Sequence, residues 1–258
     1  MLRANNISLY AGQKNLVEDI NFSCDPGEFI ALCGPNGAGK SSLLNVLSGD
    51  IQSQKGEVFY QQHNLKNMTA LNLAHIRAVM PQNMQVSFNL SAEAVIEMGL
   101  MFCRSNAEKQ NIIAQMVELF DIKHLLKSAF NALSGGEQQR VQLARVIAQL
   151  QQAACTGPRY LLLDECTSAM DMAMMHKAFA VLRDIKQNNI GIVAVVHDLN
   201  LASLYADKII MLKEGLGHSE GCPKSVITQQ TINHVFQTSV EVIQHPKYNK
   251  PVILQNVI

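Results

Sequence analysis

Between residues 28 and 49 the chain reads EFIALCGPNGAGKSSLLNVLSG: a short apolar run, a glycine-rich turn, and a stretch with helical spacing. Gly34 to Ser41 fit GxxxxGK[ST], and the flanks turn that pattern into a constraint, because a strand runs in and a helix runs out. In this geometry the backbone of Gly34, Pro35, Asn36, Gly37, Ala38 and Gly39 curls around a phosphate. The N–H groups there and the positive end of the helix supply the attraction. Lys40 then meets the β and γ oxygens, the Ser41 hydroxyl ligates magnesium, and Ser42 completes the nucleotide-binding set. A glycine-rich turn that merely closes a strand would need neither the lysine nor both flanks. The pattern therefore implies nucleoside triphosphate binding within an α/β fold.

RYLLLDE (159–165) supplies the complementary half. A continuous apolar run is typical of a parallel strand covered on both faces, and its terminal carboxylate, Asp164, falls beside the magnesium. Glu165 follows where the chain turns, so it can reach an attacking water as general base. An Asp-Glu pair after a strand is by itself most often a solvated strand end; paired with the phosphate loop it reads as catalytic. IGIVAVVHD (190–198) is a second strand of the same type, and KAFAVLRDIKQNN (177–189) between them is an amphipathic crossover helix.

Elsewhere, NISLY (6–10) and LVEDINFSC (16–24) have the bias and length of strands. From Ser91 to about Gln152 the period becomes helical, with no convincing strand. DKIIMLKEG alternates towards a hairpin, short helices are expected from Pro223 and from Thr231, and VEVIQHP with PVILQ are expected to pair as a final ribbon. The expected division is one domain over 1–258, with a core of 1–83 and 159–258 and a helical subdomain over about 84–158.

LSGGEQQR (133–140) is a second glycine-rich helix start, this time without a lysine. Ser134 and Glu137 match a capping box, which is reason enough for a helix to begin there. A capped helix start is also an anion site, since its free N–H groups and dipole attract phosphate.

This stretch resembles the signature motif of ATP-binding-cassette (ABC) ATPases, and the likeness covers nearly the whole chain. In order it includes Tyr10, GPNGAGKS, Gln82 in VMPQ, LSGGEQQR, LLLDE, TSAMD (167–171) and His197. The resemblance implies a mixed-sheet core with an antiparallel β subdomain and an inserted α-helical subdomain. It implies ATP and Mg2+ as ligands, with Ser41, Gln82 and Asp164 around the metal, and Glu165, His197 and Lys40 acting in catalysis. It implies that Tyr10 stacks on adenine, that Gln82 couples the site to a membrane partner, and that His197 contacts the γ-phosphate. Two cassettes of this family meet head to tail, so Ser134, Gly135, Gly136 and Glu137 would act in trans, where the partner's own loop lysine already neutralises the phosphate. Asp171 resembles the residue that communicates between the two sites. One departure stands out: the family usually has proline where this chain has Cys166, which removes a stiffener from that turn but no catalytic atom.

A lone cassette resembles the separate ATP-binding subunits of importers: a homodimer gripping two transmembrane permease subunits and, through them, a periplasmic or surface substrate-binding protein. The stretches around VMPQ, LLLDECTSAMD and AVVHDLNLASLYADK look like the subunits serving iron-siderophore, cobalamin and haem uptake, haem above all. The spacer QQAACTG (151–157) is in keeping with haem, and siderophore uptake is the alternative. A cassette remodelling nucleic acid or ribosomes is the competing class. The balance of 21 basic and 21 acidic residues leaves no net field to draw the chain onto a polyanion, so no nucleic acid is expected. The six cysteines form no metal-ligand spacing and favour a reducing compartment. No apolar run approaches the roughly 20 residues that span a bilayer, so the isolated chain is expected to be soluble and cytoplasmic; the resemblance to importer subunits implies a peripheral place on the cytoplasmic face of the inner membrane. The twelve methionines read as core filler, not haem ligands.

Overall fold

The computed structural model describes residues 1–82, 88–152 and 154–255. In chain order, β1 (Leu2–Ala11) and β2 (Lys14–Cys24) form an antiparallel hairpin, and β3 (Phe29–Cys33) leads through the phosphate loop into α1 (Lys40–Ser48). β4 (Lys55–Tyr60), β5 (His63–Asn64), α2 (Ala70–Ile76) and β6 (Arg77–Met80) follow. Next come α3 (Ala92–Glu97), α4 (Asn106–Phe120) and α5 (Gly135–Gln151), each opened by a serine whose side chain accepts a backbone N–H: Ser91, Ser105 and Ser134. The chain then alternates through β7 (Arg159–Asp164), α6 (Met172–Ile185), β8 (Ile190–Val195), α7 (Leu199–Tyr205) and β9 (Lys208–Lys213). It ends with β10 (Leu216–Gly221), α8 (Pro223–Val226), α9 (Gln229–Phe236), β11 (Val240–Gln244) and β12 (Pro251–Gln255).

Three sheets result. The strands order β2-β1-β4-β5 in an antiparallel sheet, β10-β9-β3-β8-β7-β6 in a larger one, and β11-β12 in a ribbon. In the larger sheet β9, β3, β8, β7 and β6 run parallel and β10 returns antiparallel. Its parallel strands are apolar at successive positions because both faces are covered. Phe29, Ala31, Leu161, Leu163, Ile192 and Ala194 face one hydrophobic cluster, shared with α3 to α6. Ile30, Leu32, Leu162, Val193 and Val195 face the other, shared with α1 and the antiparallel sheet. This explains why period-2 alternation is missing there, although the strands are strands.

The parallel register places the carboxyl ends of β3, β8 and β7 side by side, with Leu32 opposite Val195 and Val195 opposite Asp164. The phosphate loop, the Asp164–Glu165 turn and His197 therefore leave neighbouring strand ends. That is where open α/β sheets bind ligands.

The structure differs from the sequence expectations at several elements. β1 begins at Leu2, not Asn6. α9 begins at Gln229 instead of Thr231, because the Thr228 hydroxyl accepts from the Thr231 N–H and caps the helix upstream. β4, β5 and α2 form in a stretch for which the sequence sets no expectation. The subdomain boundary expected near residue 84, and Ala153 of the QQAACTG spacer, lie outside the described residues.

Tyr160 of β7 is fully buried against Tyr60, ring centroids 5.4 Å apart and edge to face. The Tyr60 hydroxyl donates to the Leu47 carbonyl at 2.9 Å, whereas the Tyr160 hydroxyl is buried with no partner among the described residues. An unpaired buried hydroxyl is a net cost, and Phe keeps the ring. Tyr160→Phe should raise unfolding free energy by about 1 kcal/mol, read from urea denaturation; a fall of the same size would show that the hydroxyl is satisfied.

Candidate functional site

The loop backbone is shaped by close approach. Gly34 has φ +144°, and a Cβ there would stand 2.1 Å from the Leu212 carbonyl oxygen of β9. Gly39 has φ +97° and would press a Cβ to 2.3 Å from the Leu16 oxygen of β2. The two glycines thus let the loop lie flat between the hairpin and the sheet. Lys40 is 5% exposed, and its ammonium donates to the Gly34 and Pro35 carbonyls, both at 2.9 Å. Burial lowers its pKa, against the pull of Cys33, Glu165 and Asp164. The Ser41 hydroxyl donates to Asp164 Oδ1 at 3.0 Å, joining α1 to the end of β7. Burial raises the Asp164 carboxyl above its ordinary value, despite that bond and the Lys40 charge.

Glu165 has φ +52°, a left-handed conformation unusual for a non-glycine residue. This turn swings its side chain back over the phosphate loop. Its Oε1 accepts from His197 Nε2 at 2.6 Å and its Oε2 accepts from the Gln82 amide at 2.8 Å. Burial pushes this carboxyl up, but the bond to His197, that ring's charge, the Gln82 amide and Lys40 outweigh it and hold it below the usual glutamate range. Two adjacent carboxylates are thus shifted in opposite directions by their surroundings, a pattern that favours functional sites.

Asn36, Gly37, Ala38, Gly39, Lys40, Ser41, Ser42, Gln82, Glu165 and His197 line one cavity of about 510 Å³. Lys14 and Leu16 of the first hairpin also line it, which the sequence reading missed; the only signal was a basic residue in a strand turn. Tyr10 does not line it. It pairs across the hairpin with Asn15, its backbone is bonded on both sides to the Gln54 side chain, and the Lys55 ammonium lies 5.9 Å from its ring centroid.

The signature stretch lies elsewhere. Ser134 caps α5 with the full capping box: its hydroxyl accepts from the Glu137 N–H at 3.4 Å and donates to Glu137 Oε2 at 2.7 Å, while its own N–H donates to Oε2 at 2.8 Å. None of Ser134, Gly135, Gly136 and Glu137 lines the phosphate-loop cavity, and Ser134 and Gly135 are exposed. Gly136 faces the loop after Glu165, where a Cβ would sit 2.7 Å from the Ala169 oxygen. Gln139, one turn further on, was also missed. Its amide donates to Ser168 Oγ at 2.9 Å and to the Glu165 carbonyl at 3.4 Å, and accepts from the Ala169 N–H at 2.9 Å. Asp171 is exposed and caps α6, accepting from the Met174 N–H at 2.9 Å. Cys166 is 2% exposed, and burial pushes its thiol up to about 12.

With the geometry in view, comparison with known proteins locates the chain among its relatives. The profile of a family described as ABC transporter matches residues 17–168. The hemin import ATP-binding protein of Hydrogenovibrio crunogenus is 40% identical over 96% of this chain and 97% of its own length. The protein of the same name from Pseudomonas aeruginosa is 36% identical over 98% and 99%. Among solved structures, the dimeric bacterial ABC transporter cassette MJ0796 superposes with a TM-score of 0.76 at 25% identity, over 86% of this chain and 98% of its own. An inward-facing transporter described as of metal-chelate type reaches 0.78 at 24% identity over 99% and 97%.

Gly136→Ala tests the intrachain contact at the signature. A methyl group there must displace the Ala169 carbonyl, so stability should fall by about 1 to 3 kcal/mol, seen as a lowered urea midpoint in the absence of nucleotide. An unchanged midpoint would mean the loop yields freely.

Proposed function

The chain belongs to the ABC transporter family, and we propose that it is the ATP-hydrolysing subunit of a haem importer, working as a homodimer at the cytoplasmic face of the inner membrane. The observation that carries hydrolysis is Glu165, held as a carboxylate by His197 and Gln82 directly over the phosphate loop. Near-full-length similarity to hemin import ATP-binding proteins supports haem as the cargo.

On this reading ATP enters the cavity with its phosphates along the loop N–H groups, and Tyr10 at the neighbouring hairpin edge stacks on adenine. The Lys40 ammonium exchanges its two carbonyl partners for β and γ oxygens. Magnesium fits the donors present, since a hydroxyl and a carboxylate oxygen already meet at Ser41 and Asp164, with the Gln82 amide oxygen as a further donor. Held there by Ser41, Asp164 and Gln82, it would supply positive charge to offset that of the phosphates. Glu165 accepts a proton from the attacking water as the water oxygen bonds to the γ-phosphorus and the bond to the β-phosphate oxygen breaks, releasing ADP and phosphate. His197, one strand end away, donates to the γ-phosphate instead of to Glu165.

The exposed start of α5 supports closure in trans. Ser134, Gly135 and Gly136 would complete the partner's site with backbone donors and the helix dipole, and Asp171 would report across the interface. No helix among the described residues is long and apolar enough to cross a membrane. As a subunit of an importer, the chain would work with two permease subunits and a substrate-binding protein beyond them. A cavity of about 670 Å³ between the end of α1, α2 and β6 offers those subunits a concave surface, and β6 leads from it straight to Gln82.

Two experiments test this reading. Glu165→Gln should bind ATP normally, lose at least about 100-fold in turnover and accumulate as an ATP-bound dimer in size-exclusion chromatography; undiminished turnover would remove Glu165 as the base. Mixing Ser134→Arg with Lys40→Ala chains, each inactive alone, should restore turnover, because each heterodimer then holds one intact composite site. A mixture as inactive as its components would place the signature outside the reacting site.

A further inference from the structure

The helix that follows His197 is strapped to the carboxyl-terminal ribbon. α7 begins two residues beyond His197, with Asp198 as its N-cap. The Asn200 side chain accepts from the Ile253 N–H at 2.8 Å and donates to the Ile253 carbonyl at 3.2 Å. One turn on, the buried Ser203 hydroxyl donates to the Pro251 carbonyl at 2.6 Å, and at the end of the helix Lys250 donates to the Ala206 carbonyl at 3.3 Å. An amide that both donates to and accepts from the backbone of one residue does what a neighbouring strand would do. Asn200 thereby finishes the outer edge of β12, and the ribbon is held on its other side by Asn233 of α9, which accepts from the Val240 N–H at 3.2 Å.

His197 sits between two anchors. Before it, the Val196 N–H donates to the Leu32 carbonyl at 3.0 Å and fixes the chain to β3. After it the anchor is α7 and the ribbon, and an open cleft of about 360 Å³ beside them is bounded by Phe236, Ile232, Val240 and Ile253, and by His197 itself. The same histidine lines the phosphate-loop cavity. Leu201 and Ala202 pack α7 on the core, and the Asn200 and Ser203 bonds fix it to the ribbon on the side of the cleft.

We propose that Asn200 is a positioning residue for ATP hydrolysis: its clasp on Ile253 fixes α7, and through α7 the imidazole of His197 against Glu165 and the γ-phosphate. The proposal rests on the reading of His197 given above and adds a role for the ribbon, none of whose described residues lines the phosphate-loop cavity.

A double-mutant comparison of steady-state ATP turnover tests it, using the full chain as wild type, Asn200→Ala, His197→Ala and the double variant. Asn200→Ala should lower kcat about 10-fold and leave KM for ATP within about twofold, the split expected when only the reacting geometry is disturbed. In the His197→Ala background the same change should alter kcat less than about twofold, because the group it positions is gone. Asn200→Asp keeps the volume and the bond from the Ile253 N–H but loses the bond to the carbonyl, and should fall between; it carries the comparison if Asn200→Ala does not fold. The imidazole resonance that disappears in His197→Ala should shift or broaden in both Asn200 variants, a readout that needs no residual turnover. An unshifted resonance, an unchanged kcat, or an equal loss in both backgrounds would overturn the positioning role. Full turnover by His197→Ala would instead remove the reading of His197 on which it stands.

Discussion

The hydrogen-bonded register of three parallel strands underlies the whole site. β3, β8 and β7 end level with one another, so a glycine-rich loop, a histidine and a pair of carboxylates arrive at one edge although they are far apart in sequence. A slip of one strand would turn its apolar residues towards the wrong cluster, and both faces of this sheet are buried, so the register is set by the same burial that stabilises the fold. The Ser41–Asp164 bond then ties the first helix to the end of β7 and closes the arrangement.

Above that edge the side chains bond to one another and to the loop backbone. Lys40 is bonded to carbonyls of its own loop, and both oxygens of Glu165 are engaged. Each bond is made to a group whose proposed task lies with a phosphate or a water, so phosphate entry replaces existing partners and does not order free side chains. Such exchange keeps the reorganisation small, because charged groups move from one fixed dipole to another. The left-handed turn at Glu165 aims the carboxylate, and backbone strain of that kind persists only where the surroundings over-determine it.

Much of this was legible in the residues. GPNGAGKS with its flanks, the apolar run into Asp164, and the Ser134 capping box each carry their own physics locally, and the structure forms the elements they predict. What escaped was non-local. Lys14 and Leu16 reach the cavity only because the first hairpin folds over the loop, and a hairpin turn has no pattern that announces what it will cover. Gln139 looked like one of two polar residues on a helix, since its partners lie almost thirty residues further on. β4, β5 and α2 are short elements that depend on their neighbours, β4 on β1, β5 on β4 and α2 on the core through Leu73, so their own periodicity says little. Likewise Asn200, in the stretch HDLN, shows no purpose until β12 lies beside it.

Gln139 and Gly136 lock the tip of α5 to the loop that follows Glu165. On the proposed reading, the surface a chain would extend to its twin is one end of a yoke whose other end is bonded to the turn that carries Glu165, the proposed proton acceptor. In the proposed head-to-tail pair, clasping one nucleotide would tug on the machinery around the other. Such a dimer would form a single mechanical circuit, and reciprocity of coupling free energies would require that whatever one half feels from its neighbour is returned in equal measure.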